Sequence, residues 1–187
     1  MRKILGIPAT LFVLAVLLVG SGTALLVKYF SNTVTHTVSV DSPIELTGDT
    51  PLSINIYGGE AITYTITTKN LADIVIESYP ITEITGPDVW SGTEFSEVLL
   101  ENSSGIYNLT SLLYVIKDDG SLIPFSEVET LSTATVKLFF DSTLHTYTRS
   151  VGFEKQDTYT FTTNPAIMPG VYTIRSCELF DWSSSCP

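Results

Sequence analysis

Strict alternation of threonine with apolar residues constrains this chain more than any other feature. Residues 61–67 read AITYTIT and residues 33–40 read TVTHTVSV. In the first stretch Ile62, Tyr64 and Ile66 share one face, and Thr63, Thr65 and Thr67 share the other. Successive side chains of an extended strand point to opposite faces, so a period of two marks a half-buried strand. Thr occurs 26 times and Ser 20 times in 187 residues, and β-branched Thr suits a pleated surface. The same pattern selects 71–78, 110–116, 133–140, 145–151, 158–162 and 171–179. Turn chemistry falls between them, at Tyr57-Gly58-Gly59, Gly86-Pro87-Asp88, Asp118-Asp119-Gly120 and Met168-Pro169-Gly170. Asp119-Gly120 between two apolar runs predicts a tight hairpin. A short helix is expected over 93–100, where Phe95, Val98 and Leu99 have helical spacing. Many short strands and no second amphipathic helix predict an all-β chain. The expected architecture is an antiparallel β-sandwich, jelly-roll or immunoglobulin-like.

The sandwich is preceded by a different kind of sequence. Arg2 and Lys3 open the chain, no acid precedes Asp41, and the run from Ile4 to Val27 is uncharged and rich in Leu, Val and Ala. A basic start before an apolar run is the pattern of a secretory signal. The run is also long enough to cross a bilayer as a helix. Gly22-Thr23-Ala24 places small residues for cleavage after Ala24. Residues 1–24 are therefore read as a signal peptide or N-terminal membrane segment, 25–40 as an N-terminal strand, and 41–187 as the sandwich domain. Either fate of the leader places the remainder outside the cytoplasm, at the cell surface or beyond it. Membrane contact is expected only through the N-terminal segment before processing.

Charge and cysteine content narrow the function. The formal net charge is −11, and all 20 Asp and Glu lie after residue 30. That balance argues against nucleic acid, which calls for clustered Lys and Arg. No D-x-[DN]-x-[DN]-G loop is present to hold calcium. Cys177 and Cys186 are the chain's two cysteines, and in an oxidising compartment they are expected to close the C-terminal segment on itself. Asn102-Ser103-Ser104 and Asn108-Leu109-Thr110 are glycosylation sequons. His36 and His145 lack the partners of a zinc or hydrolase motif, and there is no G-x-S-x-G elbow, P-loop or dinucleotide fingerprint. The expectation is a protein that is not an enzyme, with no catalytic residue, metal or cofactor. Trp90 and Trp182, with nine Tyr, are read either as packing residues or as a carbohydrate platform.

The junction Gly22-Thr23 to Tyr29-Phe30-Ser31-Asn32-Thr33 resembles that of exported TasA- and camelysin-like proteins, in which an apolar signal runs directly into the first strand of a β-sandwich. Gly58-Gly59-Glu60-Ala61-Ile62-Thr63-Tyr64-Thr65, followed by Lys69-Asn70-Leu71-Ala72, is similar to the turn, strand and turn of that family. The chain departs from the pattern in the extra residues 24–28, in Asn32 where Asp is usual, and in its cysteine pair. The resemblance implies a pilus-like or biofilm-matrix filament built by donor-strand complementation, in which copies of the chain join head to tail. A chain cut after Ala24 begins LLVKYFSNTVTHTVSV. An apolar strand of that kind needs a sheet edge to pair with. Tyr29, Phe30, Val34, Val38 and Val40 are its candidate polymerisation residues. The same strand pairing within its own sandwich is one alternative. A membrane-anchored monomeric domain that binds a protein or glycan is another; a type IV pilin and a secreted hydrolase complete the set.

Overall fold

The structure, a computed structural model, describes residues 42–187 and two short strands, Lys3–Ile4 and Ile7–Pro8, which pair antiparallel. Ala24 and the candidate polymerisation residues Tyr29, Phe30, Val34, Val38 and Val40 lie outside the described residues. Residues 42–187 form a compact unit of their own.

The strands of this unit are β1 (Ile44–Gly48), β2 (Leu52–Ile56), β3 (Ala61–Asn70), β4 (Ile76–Thr85), β5 (Val89–Trp90), β6 (Phe95–Asn102) and β7 (Gly105–Asn108), then β8 (Tyr114–Ile116), β9 (Leu122–Pro124), β10 (Leu131–Ser132), β11 (Thr135–Phe139), β12 (Tyr147–Arg149), β13 (Glu154–Thr163) and β14 (Gly170–Leu179). One sheet runs β9-β8-β11-β4-β14-β2, with β12 also on β4; the other runs β1-β3-β13-β6-β7. Every pairing in both sheets is antiparallel. The chain is an all-β antiparallel sandwich.

Alternation explains which side chains meet. Ile62, Ile84, Val98, Leu138, Phe161 and Ile174 are buried together in the core. The threonines of the outward faces bond in cross-strand pairs: Thr63 with Thr160 at 3.1 Å, Thr65 with Thr158 at 3.0 Å and Thr85 with Thr135 at 2.8 Å. Such pairs stabilise a sheet by a few tenths of a kcal/mol to about 1 kcal/mol each. Trp90 is fully buried; its Nε1 donates to the Thr133 carbonyl at 3.0 Å, and Tyr172 meets its ring edge-on. That removes Trp90 from any sugar platform.

The predicted hairpin forms. Lys117 N–H donates to the Ser121 carbonyl at 3.0 Å, and Gly120 takes the left-handed φ of +79° between β8 and β9. The helix expected over 93–100 is instead the strand β6. Along β13 the register slips between Thr162 and Thr163, which face Glu97 and Phe95. Ser96 is the extra residue of this β-bulge. The slip brings Phe95 and Val98, three residues apart, to the same core, and so produces a helical spacing inside a strand. The strand expected over 71–78 begins only at Ile76, because Asn70 closes a turn by donating from Nδ2 to the Ile74 carbonyl at 2.9 Å. The segment 110–116 opens as the 3-10 turn Thr110–Leu112, where Thr110 Oγ1 accepts from Val98 N–H at 2.8 Å.

Cys177 and Cys186 form the expected disulfide, with Cα atoms 5.7 Å apart. The clip draws the last residues across the outward face of the larger sheet. Cys186 N–H donates to Glu83 at 3.0 Å, and Lys137 Nζ donates to the Trp182 carbonyl at 3.0 Å. Ile81, Ile116 and Leu179, which point away from the main core, are buried beneath it as a second cluster. A disulfide suits a non-reducing environment. No described helix is long and apolar enough to cross a membrane.

Candidate functional site

The inward positions of five strands change character together. On β3, Ile62, Tyr64 and Ile66 give way to Thr68 and Asn70. On β13, Phe161 and Tyr159 give way to Asp157 and Lys155; on β6, Val98 and Leu100 give way to Asn102. The facing sheet does the same: Ile174 leads to Ser176 and Glu178 on β14, and Ile84 leads to Thr82, Pro80 and Ser78 on β4. Antiparallel registry brings all these polar ends to one end of the sandwich. There the sheets enclose an open cleft of about 670 Å³. Its apolar walls include Leu46, Ile66, Leu100, Leu109, Phe140 and Phe153. Ile106 and Tyr107, exposed on the edge strand β7, stand at its rim.

Charges inside the cleft are paired. The Arg149 guanidinium lies 2.6 Å from Glu178, with side chains only 12% and 4% exposed. Ser78 Oγ donates to the other Glu178 oxygen at 2.5 Å. Arg149 also lies over the rings of Tyr147 and Phe153, at 5.6 and 5.0 Å from their centroids. Its Nε is buried without a hydrogen-bond partner. Asp157 accepts from Lys155 Nζ at 2.9 Å and from Asn102 Nδ2 at 3.0 Å on the same oxygen.

Tyr159 lines the inner wall, with the core residue Tyr64 behind it. Tyr64 and Tyr159 stack with centroids 5.3 Å apart. Burial pushes the Tyr64 hydroxyl up to about 12, against the opposing hydrogen bonds from Ser176 and Thr82. Burial raises Tyr159 as well, reinforced by Tyr64, Asp157 and Glu178. Both stay neutral at physiological pH and offer hydrogen bonds rather than proton transfer.

The residues singled out by sequence fall in three places. Asn102 is half-buried in the cleft wall, with its amide nitrogen on Asp157 and its Oδ1 accepting from Ser104 N–H at 2.9 Å. Asn108 is exposed at the far end of β7, its Oδ1 accepting from Thr110 N–H at 3.0 Å. The two sequons thus flank one hairpin at the cleft mouth. His145 is exposed, 3.5 Å from Asp141, and Cys177 and Cys186 lie in the C-terminal clip. Among the described residues no group of His, Cys, Asp or Glu is arranged to hold a metal. Arg149, Lys155, Asp157 and Glu178 carry no motif. Their signal is that polar residues occupy positions whose alternation assigns them to the interior.

No family model and no curated protein matches this chain. Among solved structures, AvmM, which catalyses macrocyclization in alchivemycin A biosynthesis, is similar at 9% identity, covering 78% of this chain and 93% of that one with a TM-score of 0.39. A likeness at that level bears on neither fold nor activity.

Proposed function

We propose that the chain is a structural, non-enzymatic subunit of an extracellular filament, and that residues 25–40 of one copy enter the cleft of the next. The observation that carries this reading is the cleft itself. The sandwich is well packed at one end and open at the other, with about 670 Å³ between its sheets. The segment outside the described unit has the complementary pattern, with Val34, Val38 and Val40 on one face of an alternating strand. Three residues, 41–43, separate it from β1. At about 3.3 Å per residue, the sixteen residues reach about 53 Å, against about 33 Å for a ten-residue strand such as β3. That length fills a neighbour's cleft and leaves a tether. Each valine taken from water into the cleft contributes about 1.5–3 kcal/mol.

Two further features support a subunit contact. Leu71, Ile74, Val75 and Val151 are all more than half exposed. Asn70 ties their two loops together by donating to the carbonyls of Ile74 and Ser150, beside Pro43, whose carbonyl accepts from Leu71 N–H. An apolar patch at the point where the N-terminal segment enters the domain suits contact with another copy. When the segment of one copy enters the cleft of the next, the two surfaces in contact differ, so the contact is head-to-tail and its repetition builds a fibre.

The test is electron microscopy of the purified, exported full chain beside a variant lacking residues 25–40. Filaments from the first and dispersed particles from the second are expected. Filaments from the deletion variant would overturn the reading.

A further inference from the structure

The cleft wall carries a second arrangement that filament assembly does not use. Lys155 Nζ and Asn102 Nδ2 share a single carboxylate oxygen, Asp157 Oδ1, at 2.9 and 3.0 Å. Asp157 lies directly opposite Asn102 in the β13–β6 ladder, and Lys155 is its neighbour on the same face of β13. The diagonal from Lys155 to Asn102 is a cross-strand neighbour position, about 7–8 Å along the sheet, within reach of a lysine side chain. The carbonyl oxygen of Asn102 is held at 2.9 Å by the Ser104 N–H. Asp157 is largely buried, its side chain 13% exposed.

The geometry points to an intramolecular amide crosslink between Lys155 and Asn102, formed by the chain itself with Asp157 as proton carrier. An amine, an amide and a carboxylate between them are the components of an acyl transfer. Asp157 takes a proton from the Lys155 ammonium. The freed lone pair attacks Asn102 Cγ, and the carbonyl electron pair moves onto Oδ1, where Ser104 N–H receives the developing charge. The Cγ–Nδ2 bond then breaks as the Nζ–Cγ amide forms. Two of the three ammonium protons end on the leaving nitrogen, relayed through the oxygen that both nitrogens share. The nitrogen departs as ammonium, Asp157 returns to its carboxylate form, and no oxidant, metal or co-reactant is consumed. The product bolts the neighbouring strands β13 and β6 of the five-stranded sheet together at the mouth of the cleft. It also consumes the nitrogen that a glycan at Asn102 requires, so the two modifications exclude each other.

The test is mass spectrometry of the exported full chain, intact and after proteolysis, beside Lys155→Arg and Asp157→Asn. Lys155→Arg keeps a cation on Asp157 and with it the fold. With the Cys177–Cys186 disulfide reduced, the expected wild-type protein is lighter than its processed sequence by one ammonia per chain. Its digest contains a branched peptide joining residues 102 and 155, and both variants keep the full sequence mass. Wild-type protein at full mass after prolonged incubation at neutral pH, with Asn102 and Lys155 on separate peptides, would overturn the inference. So would a glycan on Asn102. Loss of ammonia that persists in Lys155→Arg identifies succinimide formation at Asn102-Ser103 and equally counts against the crosslink.

Discussion

Arg149 and Glu178 meet at 2.6 Å on one wall of the cleft, one on β12 and one on β14, the two strands that flank β4. Together they close a charge pair inside a sandwich. Removing one partner leaves a buried charge without compensation, which costs about 3–5 kcal/mol, whereas replacing both by apolar residues is often close to neutral. Arg149→Met is therefore expected to lower the stability of the domain by about 3 kcal/mol, reduced by what solvent at the open cleft screens. The double variant Arg149→Met/Glu178→Leu is expected to lie well above the sum of the two single changes. Urea unfolding of the four proteins measures this, and additive losses would contradict the pairing.

Stability at alkaline pH reports on the stacked pair Tyr64 and Tyr159. Tyr64 has its pKa raised from 10.0 to about 12 by burial. Between those values the folded chain keeps a proton that the unfolded chain releases, so stability is intact below pH 10 and falls as pH rises through the folded value. A two-unit shift corresponds to about 3 kcal/mol. Tyr64→Phe is expected to remove that part of the alkaline loss, while Tyr159 retains its own. Denaturant midpoints between pH 8 and 12 for both proteins give the comparison; superimposable profiles would contradict it.

Reduction of Cys177–Cys186 is expected to release the C-terminal clip before the sheets part. The bridge spans a separation of nine residues, for which loop-closure entropy gives about 2–3 kcal/mol. A drop in Tm of roughly 5–10 °C follows for a unit of this size. Hydrogen exchange should become faster in residues 180–187 and around Ile81 and Ile116, and stay slow in β3 and β13.

Gly120 cannot be replaced without cost. It has φ +79°, and a Cβ there would lie 2.5 Å from the Trp182 ring. Gly120→Ala is expected to destabilise by at least about 1–2 kcal/mol through backbone strain alone, with a changed Trp182 fluorescence. An unchanged Tm would contradict the contact.

The sheets were legible wherever alternation ran long. The stretch AITYTIT maps onto β3, with Ile62, Tyr64 and Ile66 inward. Strands β1 and β2 alternate over only five residues each, too few to stand out from the turns around them. The bulge at Ser96 gave Phe95 and Val98 a helical spacing that only the registry with β13 resolves. The cleft was written in the sequence as Lys155, Asp157, Tyr159 and Phe161, alternate residues that pass from charged to aromatic. Nothing local distinguishes that series from an ordinary strand end. It becomes a site only when β3, β6, β4 and β14 bring their own polar ends to the same level.

The proposed filament is held together by residues 25–40 of one copy in the cleft of another. The direct measurement is a photo-crosslinker at Val38 in the full chain, assembled from an equal mixture of isotopically heavy and light protein and mapped by mass spectrometry. Heavy–light crosslinks are expected from Val38 to peptides of the cleft wall, such as those carrying Ile66, Leu100 or Phe140. Crosslinks confined to a single chain, or falling outside the cleft, would contradict it.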